Sequence, residues 1–155
     1  MVKKFFEIYH IIVMSFCKIC IAMQVLIVVF VVFGRRILNW TPGWGETAAL
    51  LFMVWFSLMS ASMGILEDRH LRITLTELFL PPLVIKAFDI IGLIVMILFS
   101  LFMISAGFDM AVLSKLNVLA GMSIKSSWLF SAIPVSGLAI FLACIEKGIV
   151  LWKKK

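Results

Sequence analysis

Three cysteines are the first residues in this sequence that suggest chemistry. Cys17 and Cys20 have the CxxC spacing of redox pairs and metal sites, and Cys144 lies far along the chain. A metal site would need further ligands, and His10 and His70 do not supply a convincing set. A redox pair would need an accessible, polarised thiol. Because the pair lies in an apolar helical run, we interpret these cysteines as small residues facing lipid or the protein interior.

Two charged residues lie within or at the edge of long apolar runs, where charge is costly. Glu46 could be a proton or cation site, or a carboxylate stabilised at a helix start, where Arg35 or Arg36 could pair with it. Lys18 lies well inside the first apolar run. A lysine at the centre of a membrane span costs roughly 2.5–3.5 kcal/mol on insertion scales, but its stem can reach toward the headgroups.

The composition indicates that the apolar runs cross a membrane. The chain has 155 residues, of which 64% are hydrophobic and 14% are charged, and its mean hydropathy is +1.19. Soluble domains are roughly 45–50% apolar and 25% charged, and a chain this short has too little interior to hide the excess. The basic residues behind the net charge of +6 flank the apolar runs, where they set topology and contact lipid headgroups. We therefore expect membrane lipids as partners and no nucleic acid.

Four segments are long and apolar enough to span a bilayer, which needs ~20 such residues. They are approximately residues 11–33, 44–66, 87–107 and 128–145. Backbone polar groups cannot stay unpaired in hydrocarbon, and the alternating strands of a barrel are absent, so these segments are predicted to be helices. The sequence therefore predicts an all-α fold, a single transmembrane domain over residues 1–155 built as a four-helix bundle with short interfacial helices.

The start of the first span has two interpretations. Either the span begins near Ile11, or residues 5–18 form an amphipathic helix in the interface and the span covers residues 19–37. Short interfacial helices are also expected at residues 73–80, which a Pro-Pro pair would stop, and within residues 110–127.

The distribution of Lys and Arg predicts that both termini are cytoplasmic. Apart from Lys18 and Lys86, which lie in or directly against a span, the side that holds the termini and the middle loop carries eight of these residues, and the opposite side carries four. The eight are Lys3, Lys4, Arg69, Arg72, Lys147, Lys153, Lys154 and Lys155, and the four are Arg35, Arg36, Lys115 and Lys125. Cytoplasmic loops carry the excess of Lys and Arg, so the first side is predicted to face the cytoplasm.

Small residues at helical spacing mark faces on which helices can approach closely in lipid. In the second span these residues are Ser57, Ser60, Ala61 and Gly64, and in the fourth they are Ala132, Ser136, Ala139 and Ala143. We expect them to pack within the chain, with packing against another subunit as the alternative. Pro134 and the nearby Gly137 predict a kink in the fourth helix, either static or part of a moving element.

The predicted spans contain no row of charged residues. A small chain that moves a polar solute by itself would need polar groups at mid-membrane depth. The sequence therefore favours a chain that assists a transporter over one that forms the pathway, and it contains no recognisable catalytic site.

Four groups of residues along the chain form a familiar series. The first is FGRRILN at 33–39; the second is WGE at 44–46 with FMVW at 52–55; the third is RHLRI at 69–73 with LP at 80–81; the fourth is SW at 127–128 with IPVSG at 133–137. In this order, on a chain with four spans, they resemble the small (Q) membrane subunit of tripartite ATP-independent periplasmic (TRAP) transporters. The resemblance covers nearly the whole chain.

The sequence departs from that family's pattern at two positions. The family often has two acidic residues after the tryptophan, and Gly45 stands in place of the first. It often has glycine before the histidine of the middle loop, and Arg69 stands there instead. The first departure weakens a mechanistic role for the acidic pair.

The resemblance implies a location and partners. It implies a multi-pass protein of the bacterial inner membrane that braces a large (M) membrane subunit and helps dock a periplasmic substrate-binding protein. The large subunit would hold the solute and sodium sites, so no cofactor is expected in this chain. The solute would be a C4-dicarboxylate or a sugar acid such as sialic acid.

The same resemblance places the candidate site residues on two sides of the membrane. Periplasmic partner or structural candidates are Arg35, Arg36, Trp44 and Glu46, and cytoplasmic lipid or partner candidates are Arg69, His70 and Arg72.

Two other functions remain as alternatives. A self-sufficient small exporter working as a dimer would need an essential carboxylate deep in the first helix, where this chain has Lys18. A membrane thiol–quinone oxidoreductase would use Cys17 and Cys20, but the charge distribution puts them toward the cytoplasm.

Overall fold

The computed structural model describes residues 2–67 and 82–153, and within them the chain is helical. The helices are α1 (Val2–Ile37), α2 (Gly45–Glu67), α3 (Pro82–Leu113), a 3₁₀ helix (Ser114–Leu116), α4 (Ser127–Phe130) and α5 (Ala132–Lys153). Four helical segments of this described part are long and apolar enough to cross a membrane. The predicted all-α membrane fold is therefore confirmed.

The first helix is longer than either predicted version of the first span. α1 is one uninterrupted helix of 36 residues, which at 1.5 Å per residue is ~54 Å long. The hydrocarbon layer is only ~30 Å thick, so part of α1 must extend beyond it. Because α1 does not break near Lys18, residues 5–18 are not a separate helix lying in the interface.

The third helix also extends beyond its predicted bounds. α3 begins at Pro82, which suits a first helical position because its missing N–H would be unpaired there anyway, and it continues to Leu113. The following connection contains the 3₁₀ turn and a single antiparallel bridge between Val118 and Lys125. The surface helix expected within residues 110–127 is thus reduced to that turn. The other expected interfacial helix, at 73–80, lies outside the described residues.

The fourth span is interrupted near its start. α4 and α5 are separated at Ser131. Pro134 has no N–H with which to reach the carbonyl of Phe130, and the next backbone bond, from Val135 N to Ser131 O, is a long 3.3 Å. Ser131 itself keeps helical dihedral angles, with φ −64° and ψ −18°, and its N–H bonds to Ser127 O, so the kink expected at Pro134 stays a prediction.

The long helices pack in the order α1, α2, α5, α3. Each contacts mainly its neighbours in this series. The span that includes α5 is the most enclosed, with 39% of its residues buried, compared with 17% in the spans of α1 and α3. α5 therefore lies between α2 and α3, and α1 packs on the other side of α2.

Close packing of α3 on α5 depends on glycines and serines. A Cβ atom added at Gly107 would lie 2.8 Å from the side chains of Ile133 and Pro134, and one added at Gly137 would lie 3.1 Å from the carbonyl oxygen of Ser100. The Ser100 hydroxyl is fully buried and donates to its own helix, at Ile97 O, over 2.7 Å. Such short side chains let the two backbones approach closely. The predicted small residues of the fourth span, Ala132, Ser136, Ala139 and Ala143, are all buried.

The helices alternate in direction, so the chain has two distinct ends. At the terminal end, defined by residues 4–10 and 144–149, the start of α1 meets the end of α5 through His10 and Glu146. At the hairpin end, defined by residues 34–47 and 114–127, Thr47 meets Ala120. Both termini thus lie on one side of the bundle, as the predicted topology requires, and the cytoplasmic assignment of that side remains a prediction.

Replacing Gly107 with alanine tests the α3–α5 contact. The added methyl group would overlap Ile133 and Pro134, so we expect Gly107→Ala to lower the apparent free energy of unfolding in detergent by about 1–3 kcal/mol. Gly64→Ala is the matched control, since a Cβ there meets no atom of the described residues within 4 Å. Thermal unfolding followed by circular dichroism measures both, and equal melting temperatures would contradict the packing described above.

Candidate functional site

The hairpin end begins with a tightly closed helix terminus. The Gly34 carbonyl accepts backbone N–H groups from both Leu38, at 3.0 Å, and Trp40, at 3.2 Å. Asn39 has a positive φ of 48°, the conformation that turns the chain back toward Gly34. Asparagine tolerates this left-handed region better than most residues. The first group of family-like residues, 33–39, therefore forms the end of α1.

Arg35 and Arg36 are presented to the outside of this terminus. Both are exposed and lie in the last turn of α1, where the helix dipole favours positive charge. Glu46 is exposed in the first turn of α2, the complementary position for a carboxylate. The possible pairing of Glu46 with either arginine is not formed among the residues that the structure describes. Both guanidinium groups are thus available to a partner or to headgroups.

Trp44 closes an apolar groove beside these arginines. Its ring stacks on Phe30, with centroids 6.2 Å apart and planes 19° from parallel. The groove has a volume of about 470 Å³ and is lined by Leu26, Ile27, Val29, Phe30, Phe33 and Trp44. A surface of this composition suits a lipid chain or the apolar side chains of another protein.

The two connections of the hairpin end are locked together. The Thr47 hydroxyl donates to the carbonyl of Ala120 over 2.8 Å. The neighbouring Gly121 has a φ of 73° and lies so close to Gly43 that an added Cβ would overlap the Gly43 carbonyl. Since Gly121 meets both a backbone and a spacing requirement that only glycine satisfies, this contact fixes the loop before α4 against the start of α2.

Gly121→Ala should release this contact. The variant combines an unfavourable φ with a backbone overlap, and we expect it to lower the apparent free energy of unfolding by about 1–3 kcal/mol. Gly43→Ala is the control on the other side of the contact, because a Cβ at Gly43 has no described atom within 4 Å. Thermal unfolding and limited proteolysis of the loop measure the effect. Equal protease resistance of the two variants would show that the loop contact does not exist.

The small residues of α2 are not buried by the rest of the described chain. Ser57, Ala61 and Gly64 are exposed, and Ser60 is partly exposed. The expectation that this face packs within the chain, with another subunit as the alternative, stays a prediction. Gly137 on α5, by contrast, is buried and Pro134 partly so, both close to α3.

Three polar contacts hold the terminal end. His10 Nε2 and Glu146 Oε2 are 2.9 Å apart, and the pair is ionic when the imidazole is protonated. The Tyr9 hydroxyl donates to Ala139 O over 2.8 Å, and the Lys147 ammonium donates to Ile65 O over 3.1 Å. Through these contacts α5 is tied to both α1 and α2.

The cysteines do not form a reactive or metal-binding centre in the described structure. Cys17, Cys20 and Cys144 are free thiols, and all three are buried. Among residues 2–67 and 82–153, no three His, Cys, Asp or Glu side chains are close enough to hold a metal ion. The CxxC pair therefore lacks the exposure that thiol exchange requires.

Comparison with known families agrees with the arrangement of helices and motifs. The family model of the DctQ component of tripartite ATP-independent periplasmic transporters matches residues 24–154. The chain belongs to the DctQ family. No curated protein matches this DctQ chain. DctQ proteins are components of transporters and not a family of enzymes. They work with a large membrane subunit and a binding protein.

The structure joins motifs that are far apart in the DctQ sequence. The indole Nε1 of Trp55, from the second group of family-like residues, donates to the Trp128 carbonyl of the fourth group over 3.2 Å. Phe33 of the first group and Trp44 of the second line the same groove at the hairpin end. The candidates of the third group, Arg69, His70 and Arg72, lie outside the described residues.

Sequence reasoning missed several of these contacts. His10 and Glu146 are 136 positions apart, and neither belongs to a family-like motif, so no local pattern links them. Gly107 and Gly121 were not distinguished from other glycines, because the atoms that exclude a side chain come from distant segments. An alignment that showed paired changes at positions 10 and 146 would have provided the signal.

The His10–Glu146 contact of this DctQ chain can be measured by a double-mutant cycle. Both side chains are partly exposed, at 38% and 21%, so we expect a modest coupling energy of about 0.5–1.5 kcal/mol between His10→Ala and Glu146→Ala. The exposed Asp109, near the opposite end of the bundle, provides the control cycle with His10→Ala. Chemical denaturation in mixed micelles gives both coupling energies, and equal values would exclude a specific pair.

Proposed function

We propose that this DctQ chain is the stationary scaffold of a sodium-driven uptake system in a bacterial inner membrane. The large membrane subunit would carry the solute and bind sodium, and this chain would hold that subunit in place while its transport domain moves. We infer from the family that the solute is an organic acid, either a C4-dicarboxylate or a sugar acid such as sialic acid.

The observation that carries this proposal is how the buried polar groups are satisfied. In the described part of the chain, the buried polar side chains are Ser62, Ser100, Ser114 and Ser136, and no buried side-chain polar atom lacks a hydrogen bond. Ser62, Ser100 and Ser136 each donate to a carbonyl of their own helix. A solute pathway needs polar groups that are free to bind the solute, and these hydroxyls are already occupied.

The packing also favours a rigid role over a moving one. Gly107 and Gly137 bring α3 and α5 into close contact, and a cluster of Ile65, Met103, Ile140 and Cys144 joins α2 to the same pair. A well-packed contact of this kind changes little in shape. This supports a frame against which another domain can slide.

The hairpin end is suited to the second part of the role, docking of the binding protein. On the predicted topology it faces the periplasm. It presents the exposed Arg35 and Arg36, and it is fixed by the contact between Thr47 and Ala120. Exposed charges on a rigid loop pair can orient an incoming soluble partner.

The alternative functions lack support in the described structure. A thiol–quinone enzyme would need accessible cysteines, whereas Cys17 and Cys20 are buried. A self-sufficient exporter would need a deep carboxylate in α1, and the acidic residue of that helix, Glu7, is exposed near its start.

Reconstitution tests the scaffold role directly. We expect liposomes that contain this chain and the large subunit to take up an organic acid when the binding protein and an inward sodium gradient are present. Liposomes with this chain alone should show only the background of empty vesicles. The matched control replaces external sodium with potassium, which should abolish uptake by the complete system. Uptake by this chain alone, or full activity of the large subunit without it, would overturn the proposal.

A further inference from the structure

Lys18 lies far from every other charged side chain of its helix. The nearest charged or imidazole side chains on α1 are His10, eight positions before it, and Arg35, seventeen positions after it. At 1.5 Å per residue these lie ~12 Å and ~26 Å away along the axis. The residues between them are uncharged apart from Lys18 itself.

The contacts of neighbouring residues place Lys18 at the level of the middle of α2. The rings of Phe16 and Trp55 meet edge to face, with centroids 5.7 Å apart. Cys17 lies in a buried cluster against which Phe56 packs. Trp55 and Phe56 are at the midpoint of α2, a helix of 23 residues, whose length of ~34 Å is close to the hydrocarbon thickness. Lys18 is therefore deep in the membrane and not at its edge.

The Lys18 side chain is directed away from the rest of this chain. Cys17 and Cys20 are buried, whereas Lys18 is exposed. Within residues 2–67 and 82–153 it has no ion pair or hydrogen bond. The exposed positions within two turns that share its face of α1 also hold no carboxylate; they are Ile11, Met14, Ser15, Ile21, Ala22 and Val25.

An ammonium group at this depth needs a partner. Lysine at the centre of a span costs roughly 2.5–3.5 kcal/mol even on the mildest scales. The four-carbon stem covers only roughly half of the ~12 Å back to His10, so reaching toward the headgroups relieves the cost only in part. Charged residues inside membranes pair with one another or line a polar cavity.

The residues beside Lys18 indicate that the partner is another helix. Ser15 and Ala22 flank it on the same face, and both are small and exposed. Small residues let a second backbone come close enough for a short side chain to reach across. The exposed residues on the other side of Lys18, Met14, Ile21 and Val25, are bulkier, so a second helix would approach most closely along Ser15 and Ala22.

We propose that Lys18 is the intramembrane contact for a carboxylate on a helix of the large membrane subunit. The inference rests on the proposed function, because it takes the partner to be that subunit. The outward face around Lys18, defined by Ile11, Ser15, Lys18 and Ala22, is then an interface between subunits, and the charge pair sets its register.

Co-purification of the intact complex tests this contact. We expect Lys18→Glu to lower the yield of co-purified large subunit about tenfold or more, since it puts two negative charges together, and Lys18→Met to lower it several-fold by leaving the carboxylate unpaired. Lys18→Arg keeps the charge and should retain most of the complex. Lys4→Glu is the matched control, with the same charge change near the start of α1, and should leave the yield unchanged.

A photo-reactive amino acid placed at Ser15 or Ala22 identifies the partner. We expect cross-links to a helix of the large subunit, and mass spectrometry of the linked peptide should locate an Asp or Glu at the contact. Changing that residue to Lys should restore complex formation with Lys18→Glu. A probe at Phe102, which is exposed on α3, serves as the comparison site.

The possible outcomes separate this inference from the proposed function. Membrane abundance is measured for each variant, and Lys18→Met, which favours insertion, keeps the test decisive if Lys18→Glu fails to insert. Wild-type yield from Lys18→Met, or cross-links only to lipid or to a second copy of this chain, would overturn the inference while leaving the scaffold role intact. Failure of the unaltered chain to retain the large subunit would instead overturn the proposed function.

Discussion

Lipid offers no hydrogen bonds, and this constraint governs most of the structure. Each polar group inside the membrane must find its partner within the protein. The chain meets this requirement by using serine at its closest helix contacts and turning each hydroxyl back onto its own helix, as Ser62, Ser100 and Ser136 do. Because these three hydroxyls are satisfied locally, the helices can approach closely at the serines without needing a hydrogen-bond partner from the facing helix. The interior is therefore close-packed, and these serine hydroxyls are already hydrogen-bonded.

The same constraint explains why the fold is an open series and not an enclosure. Polar contacts such as those of Tyr9 and Lys147 join the helices at a few points, and elsewhere neighbouring helices in the series are held by close packing. The outer helices α1 and α3 leave most of their apolar surface uncovered; only 17% of each of their spans is buried. Lipid can cover that surface, and so can a second membrane protein. A component of a larger transporter is expected to contact both lipid and another membrane subunit.

Some features could be predicted from the sequence because they depend on short stretches. Apolar length alone identified the four spans. The small-residue pattern behaved differently. Ala132, Ser136 and Ala139 are buried, whereas Ser57, Ala61 and Gly64, with similar spacing, are exposed. The spacing of small residues shows that another helix can pack closely against that face. It does not identify which helix does so, because that depends on the arrangement of the other helices.

Contacts between distant segments were beyond sequence reasoning for the same reason. The need for glycine at Gly121 arises from the Gly43 carbonyl, and the partner of His10 is on the last helix. The candidate residues Arg35, Arg36, Trp44 and Glu46 do gather at one end, as their nearness in sequence requires. Their exposure, the missing ion pair and the groove beneath Trp44 became visible only with the fold.

The treatment of charge gives the clearest indication that this chain is incomplete by itself. At the two ends, charges are either paired, as in His10 and Glu146, or exposed where water and headgroups can reach them. Lys18 fits neither case: it lies level with the middle of α2 and points outward. In the described part of the chain every buried polar side chain has a hydrogen bond, whereas the Lys18 ammonium group faces hydrocarbon. The free-energy cost of placing this charge in the membrane is not offset by the chain's own atoms. A neighbouring subunit can offset that cost, and the chain would then be stable in its final form only as part of the complex.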